Sequence, residues 1–347
     1  MDLTLSPEQT DLGDAVARML ATATATPTDP WAGLAEMGLL GLDLPEEHGG
    51  AGGTFADVSV VARALGRAGA RTPYVEGMVG GHLAPRLDGL VVLAHDEPGR
   101  RWTPGAGVRA EPDTDADGTT WRLTGTKEPV PHGGAADHLV VSATGPEGLA
   151  LFVVDPSDAA VHTYASHDRS PTARIDLDRA PAALLAGPDQ AAALLLEASV
   201  RAVTAYGAEA LGAMEEALDR TVGYLRTRRQ FGVPLASFQA LTHRAADAYV
   251  ALELARSTVL YGTACLTEGV VDLAVASRVK VQTGRAGRLI GQEAIQLHGG
   301  IGVTDEHGIG YFTARLEVIE HLWGDTGFHL QRLAAGLGDH GAVDLLP

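Results

Sequence analysis

Arg228-Arg229-Gln230-Phe231-Gly232, followed by Phe238-Gln239, and then Gln296-Leu297-His298-Gly299-Gly300-Ile301-Gly302 are the stretches that decide how this chain folds. Before the first, Leu196, Val200, Val203, Gly207, Leu211, Met214, Leu218, Val222 and Leu225 are spaced by threes and fours, which predicts one long amphipathic helix. Arg228 ends that helix, and Gly232 with Pro234 turns the chain into the next. There Phe238, Leu241, Ala245, Tyr249, Leu252, Ala255 and Val259 repeat the spacing. Residues 271–297 and 312–337 read as two further helices, so the C-terminal third predicts an antiparallel four-helix bundle. An arginine at such a corner presents a planar fork of donors suited to a pyrophosphate, and glycines admit close backbone approach. Either stretch alone is as readily a solvated helix end or a helix-capping loop.

Upstream the punctuation changes. Leu90-Val91-Val92-Leu93, Trp121 with Leu123, Leu139-Val140-Val141, Leu149 to Val154, and Ile175 with Leu177 are short runs parted by Gly, Pro and Asp. They predict a small β-domain over 88–186. Before it, Ser6-Pro7-Glu8-Gln9 opens a helix, Trp31 to Leu40 and Val58, Val61, Leu65 have helical spacing, and 45–53 is a glycine-rich loop. The expected organisation is α+β: a helical domain over 1–87, the β-domain over 88–186 and the bundle over 187–347.

The bulk numbers bound the function. The chain has 347 residues, 45% hydrophobic content and a formal net charge of −18. That charge argues against nucleic acid or an anionic membrane as partner. No apolar run is long enough to span a bilayer, and Met1 to Leu5 lacks the features of a signal peptide. Cys265 is a lone cysteine in an apolar helical stretch and reads as a small core residue. A cytoplasmic location is expected.

The order helical, β, four-helix, together with the two motifs, resembles the acyl-CoA dehydrogenase family over nearly the whole chain. Leu39 to Gly52, Leu123-Thr124-Gly125-Thr126-Lys127 and Ala136-Asp137-His138-Leu139-Val140-Val141 resemble further stretches of that family. The resemblance implies α,β-dehydrogenation of an acyl-CoA thioester, with FAD as hydride acceptor and a carboxylate as base. It implies that Arg228, Gln230, Phe231 and Gln239 reach the FAD of a neighbouring subunit, and that Gln296, Gly299 and Gly300 approach the same pyrophosphate. No metal is called for. His298 is expected to be a structural hydrogen-bonder, and Lys127 and Lys280 to be charges at a strand or helix edge.

The chain also departs from the family. Counted without gaps, the catalytic glutamate of its Tyr-Glu-Gly-Thr stretch falls on Trp323 within Leu322-Trp323-Gly324-Asp325-Thr326. Asp325 is the nearest carboxylate and is the candidate base. Members with the base on the first bundle helix have it where this chain has Ala202, and Glu209 is two turns away, about 10 Å. The flavin-contacting Trp-x-Thr-Asn-Gly reads Pro129-Val130-Pro131-His132-Gly133, and the Thr-Glu-Pro loop survives as Asp96-Glu97-Pro98-Gly99. Contacts to a neighbour's FAD are kept, whereas those to the chain's own flavin ring are altered. The expectation is therefore a non-catalytic subunit completing FAD sites in a heterotetramer with a homologous subunit. The alternatives are a self-sufficient homo-oligomeric dehydrogenase with an atypical base, and a flavin-dependent oxidase or oxygenase on the same fold.

Overall fold

The computed structural model describes residues 5–25, 29–99, 102, 107–113, 120–304 and 308–339. The reading of Met1 to Thr4 and the last stretch of the bundle domain, 340–347, fall outside them.

Four helices come first: α1 (Pro7–Ala25), α2 (Pro30–Glu36), α3 (Phe55–Ala68) and α4 (Tyr74–Leu83). Ser6 and Gln9 cap α1 reciprocally, with Gln9 N donating to Ser6 Oγ at 3.2 Å and Ser6 N to Gln9 Oε1 at 3.1 Å. Seven strands follow: β1 (Val91–Ala94), β2 (Arg109–Pro112), β3 (Thr120–Pro131), β4 (His138–Gly145), β5 (Gly148–Val154), β6 (Ala160–Ala165) and β7 (Pro171–Ala186). Their pairings run β4–β2–β3–β7–β5–β4 and so close into a ring, with β1 on β4 and β6 on β7. Leu123, Val130, Leu139, Val141, Phe152 and Ile175 fill its interior.

The third unit starts with α5 (Pro188–Thr227). A small hairpin, β8 (Arg229–Gln230) and β9 (Val233–Pro234), leads into α6 (Gln239–Thr267) and α7 (Leu273–His298). The expected single helix over 312–337 is two, α8 (Ile309–His321) and α9 (Thr326–Ala335). Both pack on α7, which is why the apolar spacing runs through the break. Left-handed backbone at Trp323 (φ 59°) and Gly324 (φ 102°) interrupts the helix.

The N-terminal helices share one core with the bundle. A Cβ at Gly66 would lie 1.9 Å from Glu209 O, and one at Gly212 2.0 Å from Arg63 O, so α3 and α5 meet backbone to backbone.

Four side chains depart from expectation, the first being Leu196, which opens the α5 stripe yet is 41% exposed. Lys127 is no edge charge: it is fully buried, and its Nζ donates to Glu97 Oε1 at 2.8 Å, His95 O at 3.1 Å and Ser142 Oγ at 3.1 Å. The surviving Glu97 of the Asp96-Glu97-Pro98 loop is thus its counter-ion, as burial demands. Lys280 is buried as well, donating to Ile319 O and Leu322 O. Tyr249, read as part of the α6 core stripe, is 55% exposed, because α6 buries Leu252, Ala255 and Val259 on a different face.

Candidate functional site

The two sequence motifs meet at one end of the bundle. Tyr224, on the last turn of α5, stacks on His298, the last residue of α7, with ring centroids 4.6 Å apart and planes at 25°. His298 Nδ1 donates to Ala294 O at 2.7 Å, which fits a structural role. One turn beyond Tyr224, Arg228 N donates to Tyr224 O at 2.8 Å and Arg228 O accepts from Leu235 N at 2.8 Å, fixing the corner at both ends. The β8–β9 hairpin turns at Phe231 (φ 51°) and Gly232 (φ 83°), and Phe231 is 91% exposed. Arg228, Gln230, Gln239, Gln296, Gly299 and Gly300 are all exposed. A Cβ at Gly300 would meet nothing within 4 Å, and its φ is not in the left-handed region. The chain's own packing therefore does not call for glycine there, whereas close approach by a phosphate-bearing ligand does. These residues fit the nucleotide end of an FAD.

The ring end is different. Pro129 and Pro131 of β3 and Trp323, the residue on which counting places the family's base, line a common chamber with Val75, Glu76, Val79, Leu93, His95, Asp96, Tyr206 and Leu322. Its volume is about 30 Å³. Small-molecule sites measure about 300–1,000 Å³. Trp323 forms one wall and stacks on His95, with centroids 5.7 Å apart and planes at 16°. Pro131 supplies no side-chain donor. The chamber as built does not fit an isoalloxazine. Behind the Trp323–His95 pair lies a second cavity of about 250 Å³, reached by Trp102, Leu195, Ser199, Phe328 and Arg332.

Asp325, the candidate base, does not line the chamber. Its Oδ1 accepts from Phe328 N at 2.7 Å and caps α9. Two carboxylates do line it. Tyr206 donates to Glu76 Oε1, and burial holds the phenol far above its usual range. Burial pushes the Asp96 carboxyl up to about 6 and the neighbouring His95 imidazole down to about 4. Glu76 carried a signal in the sequence, as the one acid within the apolar run Tyr74 to Val79. Below the chamber, Arg315 of α8 joins Glu209 of α5 (Nε to Oε1, 2.6 Å) and Asp168 of the β-domain (Nη1 to Oδ2, 2.9 Å). Glu209 is thus engaged in a buried ion pair and is not free to serve as a base.

Residues 9–104 match the family model "Acyl-CoA dehydrogenase, N-terminal domain", and residues 201–338 match "Acyl-CoA dehydrogenase, C-terminal domain". The chain is 31% identical to acyl-CoA dehydrogenase FadE27 of Mycobacterium tuberculosis over 389 residues, covering 98% of this chain and 99% of that protein. Among solved structures, the ChsE4-ChsE5 complex from Mycobacterium tuberculosis aligns with a TM-score of 0.86 at 25% identity, covering 99% of this chain and 100% of the other. The Tcur3481-Tcur3483 steroid ACAD G363A variant aligns with a TM-score of 0.85 at 30% identity, covering 97% and 99%. Motif corner, element order and 31% identity over nearly the full length converge: this chain belongs to the acyl-CoA dehydrogenase family, whose members are flavin oxidoreductases.

Proposed function

We propose that this chain is a subunit of a heteromeric acyl-CoA dehydrogenase and completes the FAD sites of a homologous partner without holding a flavin ring of its own. The observation that carries this reading is the asymmetry of the two ends of the site. The nucleotide corner of Arg228, Gln230, Phe231 and Gln239, with Gln296, Gly299 and Gly300, is exposed and unfilled by the chain itself. The ring chamber is closed by Trp323. FAD supplies the hydride acceptor when bound. This chain's part is to grip its pyrophosphate with Arg228 and to cover its edge with Phe231. The partner supplies the base. Its substrate is an acyl-CoA thioester, and the steroid class named for one structural neighbour is the acyl group to try first.

Two further features support assembly. Tyr249, Val250, Leu254 and Tyr261 leave an apolar face of α6 between 44% and 57% exposed, a surface suited to contact with another subunit. Two of the aligned structures, ChsE4-ChsE5 and Tcur3481-Tcur3483, bear paired names, and the first is a complex. A cytoplasmic setting suits a chain in which no described helix is long and apolar enough to cross a membrane.

A second reading, a self-sufficient homo-oligomer, is favoured by Glu76 and Asp96, the carboxylates in the chamber. Flavin content decides between the two. The chain purified alone should be colourless and should co-purify with FAD only when a homologous subunit is co-expressed. One FAD per chain in the isolated protein, reduced on adding an acyl-CoA, would establish the second reading.

A further inference from the structure

We infer that Lys280 of α7 is a positioning residue that clamps the connector between α8 and α9, so that Trp323 keeps this chain's flavin-ring chamber shut. The inference rests on the reading above and adds how the closure is held.

The connector needs holding. A tryptophan in left-handed backbone is costly and persists only where its surroundings over-determine it. Here α7 does so from two positions one turn apart. Lys280 Nζ donates to Ile319 O at 2.5 Å, in the last turn of α8 where the helix end carries partial negative charge, and to Leu322 O at 2.6 Å, just past that end. Ser277 Oγ lies 2.9 Å from His329 Nδ1, and His329 Nε2 donates to Trp323 O at 2.9 Å. On the far side Thr326 N donates to Glu320 Oε1 at 2.8 Å. Glu320 and Asp325 are the acids that face Lys280. Lys280 is 2% exposed. An ammonium buried to that depth is a poor filler of space, and burial lowers its pKa to about 8. Its two carbonyl bonds are what it contributes.

The side chain so placed is a partition. His95, Asp96 and Trp323 line both the 30 Å³ chamber and the 250 Å³ cavity behind it. Moving the indole out would join the two into one channel past Asp96 and Tyr206. The shortage of room for a flavin ring is therefore a property of one clamped side chain, while the missing donor at Pro131 belongs to the frame.

The test uses the isolated full chain, FAD as the probe and equilibrium dialysis as the readout. Wild type should bind FAD only weakly, well short of one per chain. Trp323→Ala should bind it at least about tenfold more tightly than wild type, a gain of about 1.4 kcal/mol. Lys280→Met should gain part of that affinity, and the double variant should gain no more than Trp323→Ala alone, since both act through one partition. A purely structural role for Lys280 would lower stability without creating FAD uptake. Should Lys280→Met fail to fold, Lys280→Gln, which keeps an NH₂ donor, carries the test with a smaller expected gain. Uptake by Trp323→Ala with none by either folded Lys280 variant overturns the clamp and leaves the subunit reading standing. No uptake by Trp323→Ala overturns the partition. Stoichiometric FAD in wild type overturns the subunit reading itself.

Discussion

Replacing Arg315 by methionine probes the charge network beneath the chamber. Arg315, Glu209 and Asp168 have side chains only 7%, 6% and 0% exposed. Without the guanidinium the two carboxylates fare differently. Asp168 keeps Ser170 N at 2.9 Å, Ser170 Oγ at 2.8 Å and Ser166 Oγ. Glu209 loses the cation that offsets its burial, and burial already pushes its carboxyl above the usual range with Arg315 in place. Removing one member of a buried ion pair costs about 3–5 kcal/mol, a large share of a native stability of about 5–15 kcal/mol. The sign of the pH dependence follows. In the variant the folded pKa of Glu209 rises further above its unfolded value, so the protonated form is favoured in the fold. That contribution is present at low pH and is lost as pH rises through the folded pKa. Lowering pH from about 7.5 to about 5.5 should therefore restore up to about 2.7 kcal/mol, one proton over two units. Urea denaturation followed by circular dichroism at the two pH values measures both numbers. Adding Glu209→Gln to Arg315→Met should recover most of the loss at pH 7.5. A loss below about 1 kcal/mol, or one equal at both pH values, would refute the claim that this pair is buried and mutually dependent.

If Arg228 grips the pyrophosphate as proposed, Arg228→Ala removes a charge-assisted bond worth about 1.5–3 kcal/mol, and FAD retention in the co-expressed complex should fall about ten- to hundred-fold, measured by flavin release on dilution. Leu254→Asp places a charge on the exposed apolar face of α6 and should shift the complex to a smaller mass in light scattering, with the isolated chain's melting unchanged. Gly212→Ala forces a methyl to 2.0 Å from Arg63 O and should cost about 1–3 kcal/mol, whereas Gly223→Ala, which meets nothing within 4 Å, should be neutral or stabilising in the same melt.

Much of this architecture was legible in the sequence, because helix spacing and turn chemistry are local. The α5 stripe from Val200 to Leu218 lies in the core, and the Arg228 and Gly299 motifs meet where helices of those lengths must end. What escaped is non-local. The break at Trp323 is invisible to periodicity, since α8 and α9 pack on the same helix and only a short connector with left-handed backbone at Trp323 and Gly324 parts them. Tyr249 fits a core stripe by spacing, yet the face that α6 buries is chosen by α5 and α7. Lys127 and Lys280 read as edge charges because their acceptors, Glu97 and the carbonyls of Ile319 and Leu322, come from distant segments. The Glu76–Tyr206 and Arg315–Glu209 pairs join residues far apart in sequence that only the assembled core brings together.

The backbone contact between α3 and α5 has a consequence for synthesis on the ribosome. Arg63 waits for Glu215, 152 residues later, to cover its guanidinium, and Gly66 waits for the main chain of Glu209. The first helices to emerge therefore cannot complete their packing until the whole β-ring and half of α5 have followed. During that interval the apolar face of α3, with Val58, Val61 and Leu65, stays exposed, a state that invites aggregation or chaperone capture. A fragment ending before α5 should be insoluble for the same reason, and fusions or truncations of this chain should leave α3 and α5 together.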